Sequence, residues 1–338
     1  MNKIKVGING FGRIGRVAAR IALNRKNIDL VAINSRADSL SHAYLLQHDT
    51  TYGLFDKHVS EKNGNLEVDG NIIKVCQENE PSNIPWGSMG VDVVIESTGI
   101  FRDKKSASGH LEAGAKVVVI SAPPQDDIPT FCIGVNDNLL ELNKNKIISN
   151  ASCTTNCLAT VSMVLEENFG IIKGFMTTVH AYTDSQNLLD NSHRKDLRLA
   201  RSAPNNMIPS STGASKALGL VLPSLKGKII SSSLRVPLNT VSIVDLTVEL
   251  KKKSDTDGIN KAFEIAAQNK LSGILLLSYD HLVSSDIKGS TFSSVVDGSL
   301  TAVNGNMVNV KAWYDNEWGY TCRLIDLVEM CGSKIEKD

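Results

Sequence analysis

The stretch "IKVGINGFGRIGRVAARIALN", residues 4–24, decides the fold. It opens on a short apolar run that reads as a buried strand. It continues with Ile14, Val17, Ala18, Ile21 and Ala22 at helical spacing. Between the two lies Gly10-x-Gly12-x-x-Gly15. A strand that turns sharply into a helix needs one residue without Cβ at the turn. It needs a second where a pyrophosphate approaches the backbone, and a third where helix and strand pack. The helix N-terminus then offers N–H groups and a favourable dipole to phosphates. At the first strand–helix junction of an alternating chain, this pattern predicts a dinucleotide cradle.

The alternation continues outward. "IDLVAIN" is a second strand, "SLSHAYLLQHDT" resumes the helical spacing, and "VDVVIEST" and "AKVVVISAP" are two more β-rich runs. Such an order argues for a parallel α/β sheet. The character changes near residue 150. A helix over about 152–169 is followed by "GIIKGFMTTVHAYT", a long strand. Residues 184–208 are polar and without period, and are read as a long loop of the functional kind. "STGASKALGLVLPSL" is a helix stopped by Pro223, and "SSSLRVPLNTVSIVDLTVEL" is β-rich. This second half reads as α+β with a mixed or antiparallel sheet. A chain of 338 residues suggests about two domains.

Composition narrows the function classes. Hydrophobic residues make up 42% and charged residues 21%, and Lys+Arg balances Asp+Glu at 36 each. A neutral chain gives no electrostatic reason to expect a nucleic acid or a membrane as partner. No apolar run approaches the roughly 18–20 residues that span a bilayer. The richest, "GILLLSY" at 273–279, reads as a buried strand, and "MNKIKVGING" does not read as a secretory or transit signal. Six scattered cysteines do not make a disulfide framework, so a reducing, cytoplasmic setting is expected.

The dinucleotide fingerprint expects a carboxylate about 20 residues on, at the end of the second strand. That strand ends at Asn34 and is followed by Ser35-Arg36, with no acid there. A carboxylate would accept from the ribose 2′-OH of NAD and repel a 2′-phosphate. A hydroxyl beside a guanidinium does the reverse. The pair leans towards NADP over NAD, and Asp38 reads as a helix N-terminal residue.

"ISNASCTTNCLAT", residues 148–160, leaves Cys153 open to four readings: metal ligand, disulfide half, core residue or nucleophile. Leu158, Val161, Val164, Leu165 and Phe169 form a helical stripe with Gly170 as the stop, and Ser152 suits the N-cap. Cys153 then falls in the first turn, where unpaired N–H groups and the dipole favour a thiolate. No second Cys/His pair follows at zinc spacing, so no metal is expected. Cys157, one turn on, reads as a small buried residue. His180, one helix later on a strand, can reach the same end of the unit and take the Cys153 proton. Arg194, Lys195, Arg198 and Arg201 in the loop, Thr212-Gly213 at a helix start, and Arg235 suggest a phosphorylated substrate. A nicotinamide cofactor, a Cys–His pair and anion sites together point to aldehyde oxidation through a thioester.

With these residues assembled, the chain resembles the phosphorylating glyceraldehyde-3-phosphate dehydrogenases. "NGFGRIGR", "SNASCTTNCLA", "STGASKA", "LRVPLNTVSIVDL" and "WYDNEWGY" match that family in its order, over about residues 3–330. The resemblance implies a Rossmann-type dinucleotide domain over 1–150, completed by a C-terminal helix at 319–336. It implies a catalytic α+β domain over 151–318 with a largely antiparallel or mixed sheet. It also implies roles. Cys153 is the nucleophile and His180 its base. Thr183 and Arg235 take the substrate phosphate, and Ser152, Thr154, Arg198, Thr212 and Gly213 take the attacking phosphate. Gly10, Gly12, Arg13, Ile14, Gly15, Ser35, Arg36, Ser121, Ser192 and Asn316 serve the cofactor. The implied reaction converts glyceraldehyde 3-phosphate and inorganic phosphate to 1,3-bisphosphoglycerate, in a homotetramer. Ser35 where NAD-preferring members usually carry Asp, Asn79 where they often carry Arg, and Asn191-Ser192 in the loop again favour NADP. Erythrose-4-phosphate dehydrogenase, with the same Cys–His pair but water as acceptor, is one alternative reading. A redox-sensing or interaction protein on a dehydrogenase fold is another.

Overall fold

A computed structural model describes residues 3–193 and 196–335. Arg194 and Lys195 of the loop, and Glu336 at the end of the expected last helix, lie outside the described residues. The chain divides into two compact units. One comprises Met1–Phe131, Leu139–Ala151 and Thr321–Asp338, and the other Cys132–Asn138 and Ser152–Tyr320. Cys132–Asn138 thus groups with the second unit and not with the first, where the sequence reading placed it. The reason is local: Gly134, at φ +81, lies so close to Ile274 and Leu271 that a Cβ would meet them at 2.7 and 2.8 Å. The last helix is Trp318–Lys334, and its first-unit part packs Gly332 directly on Ile4.

In the first unit six strands lie parallel, in the spatial order Ile147–Ser149, Val117–Ile120, Val93–Glu96, Ile4–Asn9, Ile28–Asn34, Asn71–Cys76. Every residue of Val93–Glu96 and Val117–Ile120 is buried, as in a sheet covered on both faces. The helices α1 (Arg13–Ala22), α2 (Ser39–Gln47) and α3 (Lys104–Glu112) follow strand ends. Asp38 and Asp103 cap α2 and α3 by accepting from Ser41 N and Ser106 N. The sheet then continues antiparallel through Asn65–Val68 and Val59–Lys62, an extension the parallel reading did not include.

The second unit is a mixed sheet in the order Ile208–Ser210, Ile229–Val236, Ile171–Ala181, Ser242–Leu250, Met307–Tyr314, Ser294–Asp297, Leu275–Ser278. Ile171–Ala181 runs parallel to Ile229–Val236, and Leu275–Ser278 parallel to Ser294–Asp297; the other pairs on this path are antiparallel. Helix α4 (Cys153–Phe169) packs on the sheet and also against α5 (Ala214–Val221) and α6 (Thr256–Gln268). Covered from both sides, α4 is buried at every position from Thr154 to Leu165, not along a single stripe. Of its buried hydroxyls, Thr160 Oγ1 meets Ser294 Oγ at 2.8 Å, whereas Ser162 Oγ has no hydrogen-bond partner among the described residues. Leu275–Ser278, read as a buried strand, sits at the sheet edge with Leu276 exposed. Among the described residues, no helix is long and apolar enough to cross a membrane.

Candidate active site

Ala151, at φ +57, turns the chain into α4; a left-handed non-glycine costs of order 1–2 kcal/mol. Ser152 is the N-cap, its Oγ accepting from Thr155 N at 3.1 Å. Cys153 follows as the first residue of α4, half-buried, with Sγ 3.5 Å from His180 Nε2. His180 stands on the interior strand Ile171–Ala181 and is directly opposite Arg235 on its parallel neighbour. Its Nδ1 is 2.6 Å from Ala181 O and 2.7 Å from Arg235 Nη1, which also donates to Ala181 O at 3.1 Å.

Those distances set two incompatible demands on one nitrogen. If Nδ1 carries the ring proton it donates to Ala181 O, and Nε2 has a lone pair for the Cys153 proton. If Nδ1 accepts from Arg235, the ring proton sits on Nε2 and points at sulfur. Only the first tautomer is a base towards Cys153. Burial, and after it the Arg235 charge, holds the imidazole down to about 3. The helix start does not leave the thiol acidic as the sequence suggested. Burial pushes the Cys153 thiol up, and the opposing effects of Arg235 and the Thr154 backbone are smaller. In this arrangement the pair rests as a neutral thiol beside a neutral ring. Cys157 is fully buried, as expected, and burial raises its thiol well above the usual range.

Tyr314 is a site residue that sequence reasoning missed. Its buried hydroxyl meets Thr154 Oγ1 and Thr178 Oγ1, each at 2.8 Å, and its ring stands edge-on to His180 at 6.0 Å between centroids. The signal was there in "WYDNEWGY", where Tyr314 ends a strand. Asn316 is buried, and its Oδ1 accepts from Ser242 Oγ at 3.1 Å, which in turn accepts from Ala181 N. Ser152, Cys153, Thr154, His180, Arg235 and Asn316 therefore form one linked cluster. Thr183 instead bonds Ser185 and Gln186, and Arg198 is exposed at the start of a 3-10 turn. At the start of α5, Ala214 N donates to Thr212 Oγ1 and Ser215 N to Ser231 Oγ, while a Cβ on Gly213 would enter open space. Among the described residues, no hydrogen bond joins Thr183, Arg198, Thr212 or Gly213 to Cys153 or His180.

In the first unit the three fingerprint glycines differ as the motif requires. Gly10 has φ +92, and a Cβ there would come within 2.6 Å of Thr98 N. A Cβ on Gly15 would overlap Gly10 O, so helix and strand pack through it. A Cβ on Gly12 meets nothing within 4 Å: its absence serves no packing within the chain and leaves room for a ligand. Arg13 and Ile14 open α1, where the first backbone N–H groups have no helical acceptor. The Arg13 guanidinium pairs with Asp49 through both nitrogens and holds that carboxyl low despite its burial. Ser35 follows its strand half-buried, and Arg36 is exposed; Gln77 Nε2 donates to the Arg36 and Ala37 carbonyls. Ser121 follows Val117–Ile120 and donates its N–H to Glu96 O. Ser192 is exposed in the long loop, its N–H donated to Asn191 Oδ1.

Residues 4–104 match the model of the glyceraldehyde 3-phosphate dehydrogenase NAD binding domain, and residues 152–316 that of the C-terminal domain. The chain belongs to the glyceraldehyde-3-phosphate dehydrogenase family. Chloroplastic glyceraldehyde-3-phosphate dehydrogenase A of Zea mays is 51% identical over 338 residues, covering 98% of this chain and 83% of the relative. The Geobacillus stearothermophilus glyceraldehyde-3-phosphate dehydrogenase is 49% identical over 332 residues, covering 98% and 99%. Glyceraldehyde-3-phosphate dehydrogenase 2 of Trichormus variabilis is 50% identical over 335 residues, covering 98% and 99%. Membership in this glyceraldehyde-3-phosphate dehydrogenase family makes the chain an oxidoreductase with a nucleotide-binding first unit.

Proposed function

We propose that the protein catalyses the reversible, phosphorylating oxidation of glyceraldehyde 3-phosphate to 1,3-bisphosphoglycerate, with NADP favoured over NAD. The observation that carries this reading is Cys153 Sγ at 3.5 Å from His180 Nε2, with Arg235 on the far side of the same ring. Cys153 Sγ attacks the aldehyde carbon, and its proton passes through His180 Nε2 to the carbonyl oxygen, which becomes the thiohemiacetal hydroxyl. The bound dinucleotide supplies the hydride acceptor. As the thiohemiacetal is oxidised, His180 takes the hydroxyl proton and a thioester remains on Cys153. Inorganic phosphate attacks the thioester, and Cys153 leaves as the thiol.

Arg235 and Thr183 take the substrate phosphate. An anion that draws Arg235 from Nδ1 frees that nitrogen to donate to Ala181 O, and Nε2 becomes the acceptor the first step needs. Ser152, Thr154, Arg198, Thr212 and Gly213 serve the attacking phosphate. The Thr154 hydroxyl is turned to Tyr314, so its contribution there is the backbone N–H at the start of α4. On the cofactor side, Gly10, Gly12, Arg13, Ile14 and Gly15 hold the pyrophosphate. Ser121, Ser192 and Asn316 hold other parts, Asn316 the nicotinamide carboxamide. Ser35 and Arg36 set the preference for a 2′-phosphate. A homotetramer is part of the same proposal, supported by Phe175, Ile230, Leu188, Leu189 and Leu197, which are large, apolar and exposed.

Initial rates with NADP and with NAD, each with and without inorganic phosphate, test the reading. NADP is expected to give the larger kcat/KM, phosphate to be required, and Cys153→Ser to abolish turnover. A tenfold preference for NAD would remove the cofactor reading. A rate indifferent to phosphate would remove the phosphorylating one.

A further inference from the structure

A chain of buried polar groups lies at the carboxyl ends of three adjacent parallel strands of the first unit. Asn9, Asn34 and Glu96 each end a strand, and in register Asn9 faces both of the others. All three are at most 4% exposed. Glu96 Oε2 accepts from Asn9 Nδ2 at 2.6 Å and from His110 Nε2 at 3.0 Å. Its Oε1 accepts from Thr98 N at 2.7 Å and from the Thr98 hydroxyl. The His110 tautomer follows from its other side: the indole N–H of Trp86 donates to Nδ1 at 3.0 Å, so the ring proton sits on Nε2. Asn34 continues the chain, donating to Asn9 Oδ1 at 2.8 Å and clasping the Glu78 backbone through its N–H and carbonyl.

Four donors, two on each oxygen, leave Glu96 no open side. What they fix are residues at the roots of three loops. Asn9 precedes the Gly10 turn, Asn34 precedes Ser35-Arg36, and Thr98 opens the loop after the third strand. The Gly10 turn leans on Thr98, since a Cβ on Gly10 would come within 2.6 Å of Thr98 N, and Ser97 Oγ donates to Gly10 O at 2.7 Å. The turn is therefore packed against Thr98 and bonded through Ser97, and Glu96 holds Thr98 by two hydrogen bonds.

We infer that Glu96 is the positioning residue of the nucleotide site: one buried carboxylate sets the Gly10 turn, the Ser35-Arg36 segment and the Thr98 loop together. The inference rests on the dinucleotide-binding reading of the first unit. An amide cannot replace the carboxylate. Whichever way a glutamine side chain pointed in its place, the NH2 would face either Asn9 and His110 or Thr98, and in both cases donor meets donor.

The test is fluorescence titration of the full-length protein and its Glu96→Gln variant with NADP and with NAD. The iodoacetamide reaction of Cys153 is measured alongside, as a report on the second unit. The dissociation constant is expected to rise at least tenfold, with the alkylation rate within twofold of the parent. Binding within twofold of the parent overturns the inference, and so does weakened binding with alkylation changed to the same degree, which marks general loosening. If Glu96→Gln does not fold, Glu96→Asp keeps the charge and withdraws it by one methylene. At least threefold weaker binding with unchanged alkylation then supports the role, and unchanged binding overturns it. A parent that saturates with neither nucleotide overturns the dinucleotide reading itself, and this role with it.

Discussion

At His180 a single ring nitrogen faces a carbonyl oxygen and a guanidinium, and the surroundings hold the ring uncharged. Burial is the larger cause and Arg235 the smaller, and together they hold it down to about 3, against about 6.5 in an unfolded chain. Between those values the unfolded state binds a proton that the folded state refuses. This group's contribution to stability is therefore complete above about pH 6.5 and is lost as pH falls towards 3. Denaturant unfolding of the parent and of His180→Asn, compared from pH 7 to pH 4, is expected to show the variant losing less stability. Parallel losses would show that another group carries the effect. His42, also buried and also held low, contributes equally to both proteins, so the difference isolates His180. In the proposed mechanism the same substitution removes the acceptor of the Cys153 proton, and it is expected to lower kcat by about 10²- to 10⁴-fold. Cys153 and His180 were legible because each carries its chemistry in its residue type. The direction of the Cys153 shift was not. Helix position is written in the sequence, whereas burial depends on what the sheet and its neighbours place around the sulfur.

The strand–turn–helix of residues 4–24 separates packing from binding glycine by glycine. Gly12 has an extended backbone, φ −78 and ψ −154, with open space where a Cβ would go. Gly12→Ala is expected to leave the melting temperature within about 2 °C, because ~0.5 kcal/mol or less moves Tm by little in a chain this long, and to weaken dinucleotide binding at least tenfold. Gly15→Ala drives a methyl group into Gly10 O and is expected to lower Tm clearly, by the ~1–3 kcal/mol typical of overpacking. Calorimetry and nucleotide titration of the two variants check both, and equal Tm losses would mean that Gly12 serves the fold. The alternating elements were readable from periodicity. The antiparallel extension of the first sheet had a signal that periodicity does not count. Asn63-Gly64 and Asp69-Gly70 have positive φ at both residues and connect its strands, the sequence preference of a tight two-residue hairpin. The even burial of α4 left no such mark, because a helix covered by a sheet on one side and helices on the other differs from an amphipathic one only in its neighbours.

Across the whole molecule, sequence reading loses what is joined at long range. Thr154 and Tyr314 meet across 160 residues, and Asn9 and Glu96 across 87. Each residue type was visible, but the pairing exists only once the sheets are formed. The outer face of the second sheet is legible only in the structure for the same reason. Phe175 and Ile230 are cross-strand partners, 65% and 62% exposed, on a face that a sheet packed on one side usually leaves polar. Phe175→Asp would put a charge on that face. Analytical ultracentrifugation is expected to show a smaller species than the parent, with a parent mass near four chains; an unchanged mass would remove Phe175 from the interface. The exposed pair has a further consequence. If copies of the chain cover it, each copy acts on the others as a ligand that binds only the folded form, and dilution alone becomes a denaturing condition. The unfolding temperature then rises with protein concentration, and the amount of enzyme present helps to set how long each molecule of it lasts.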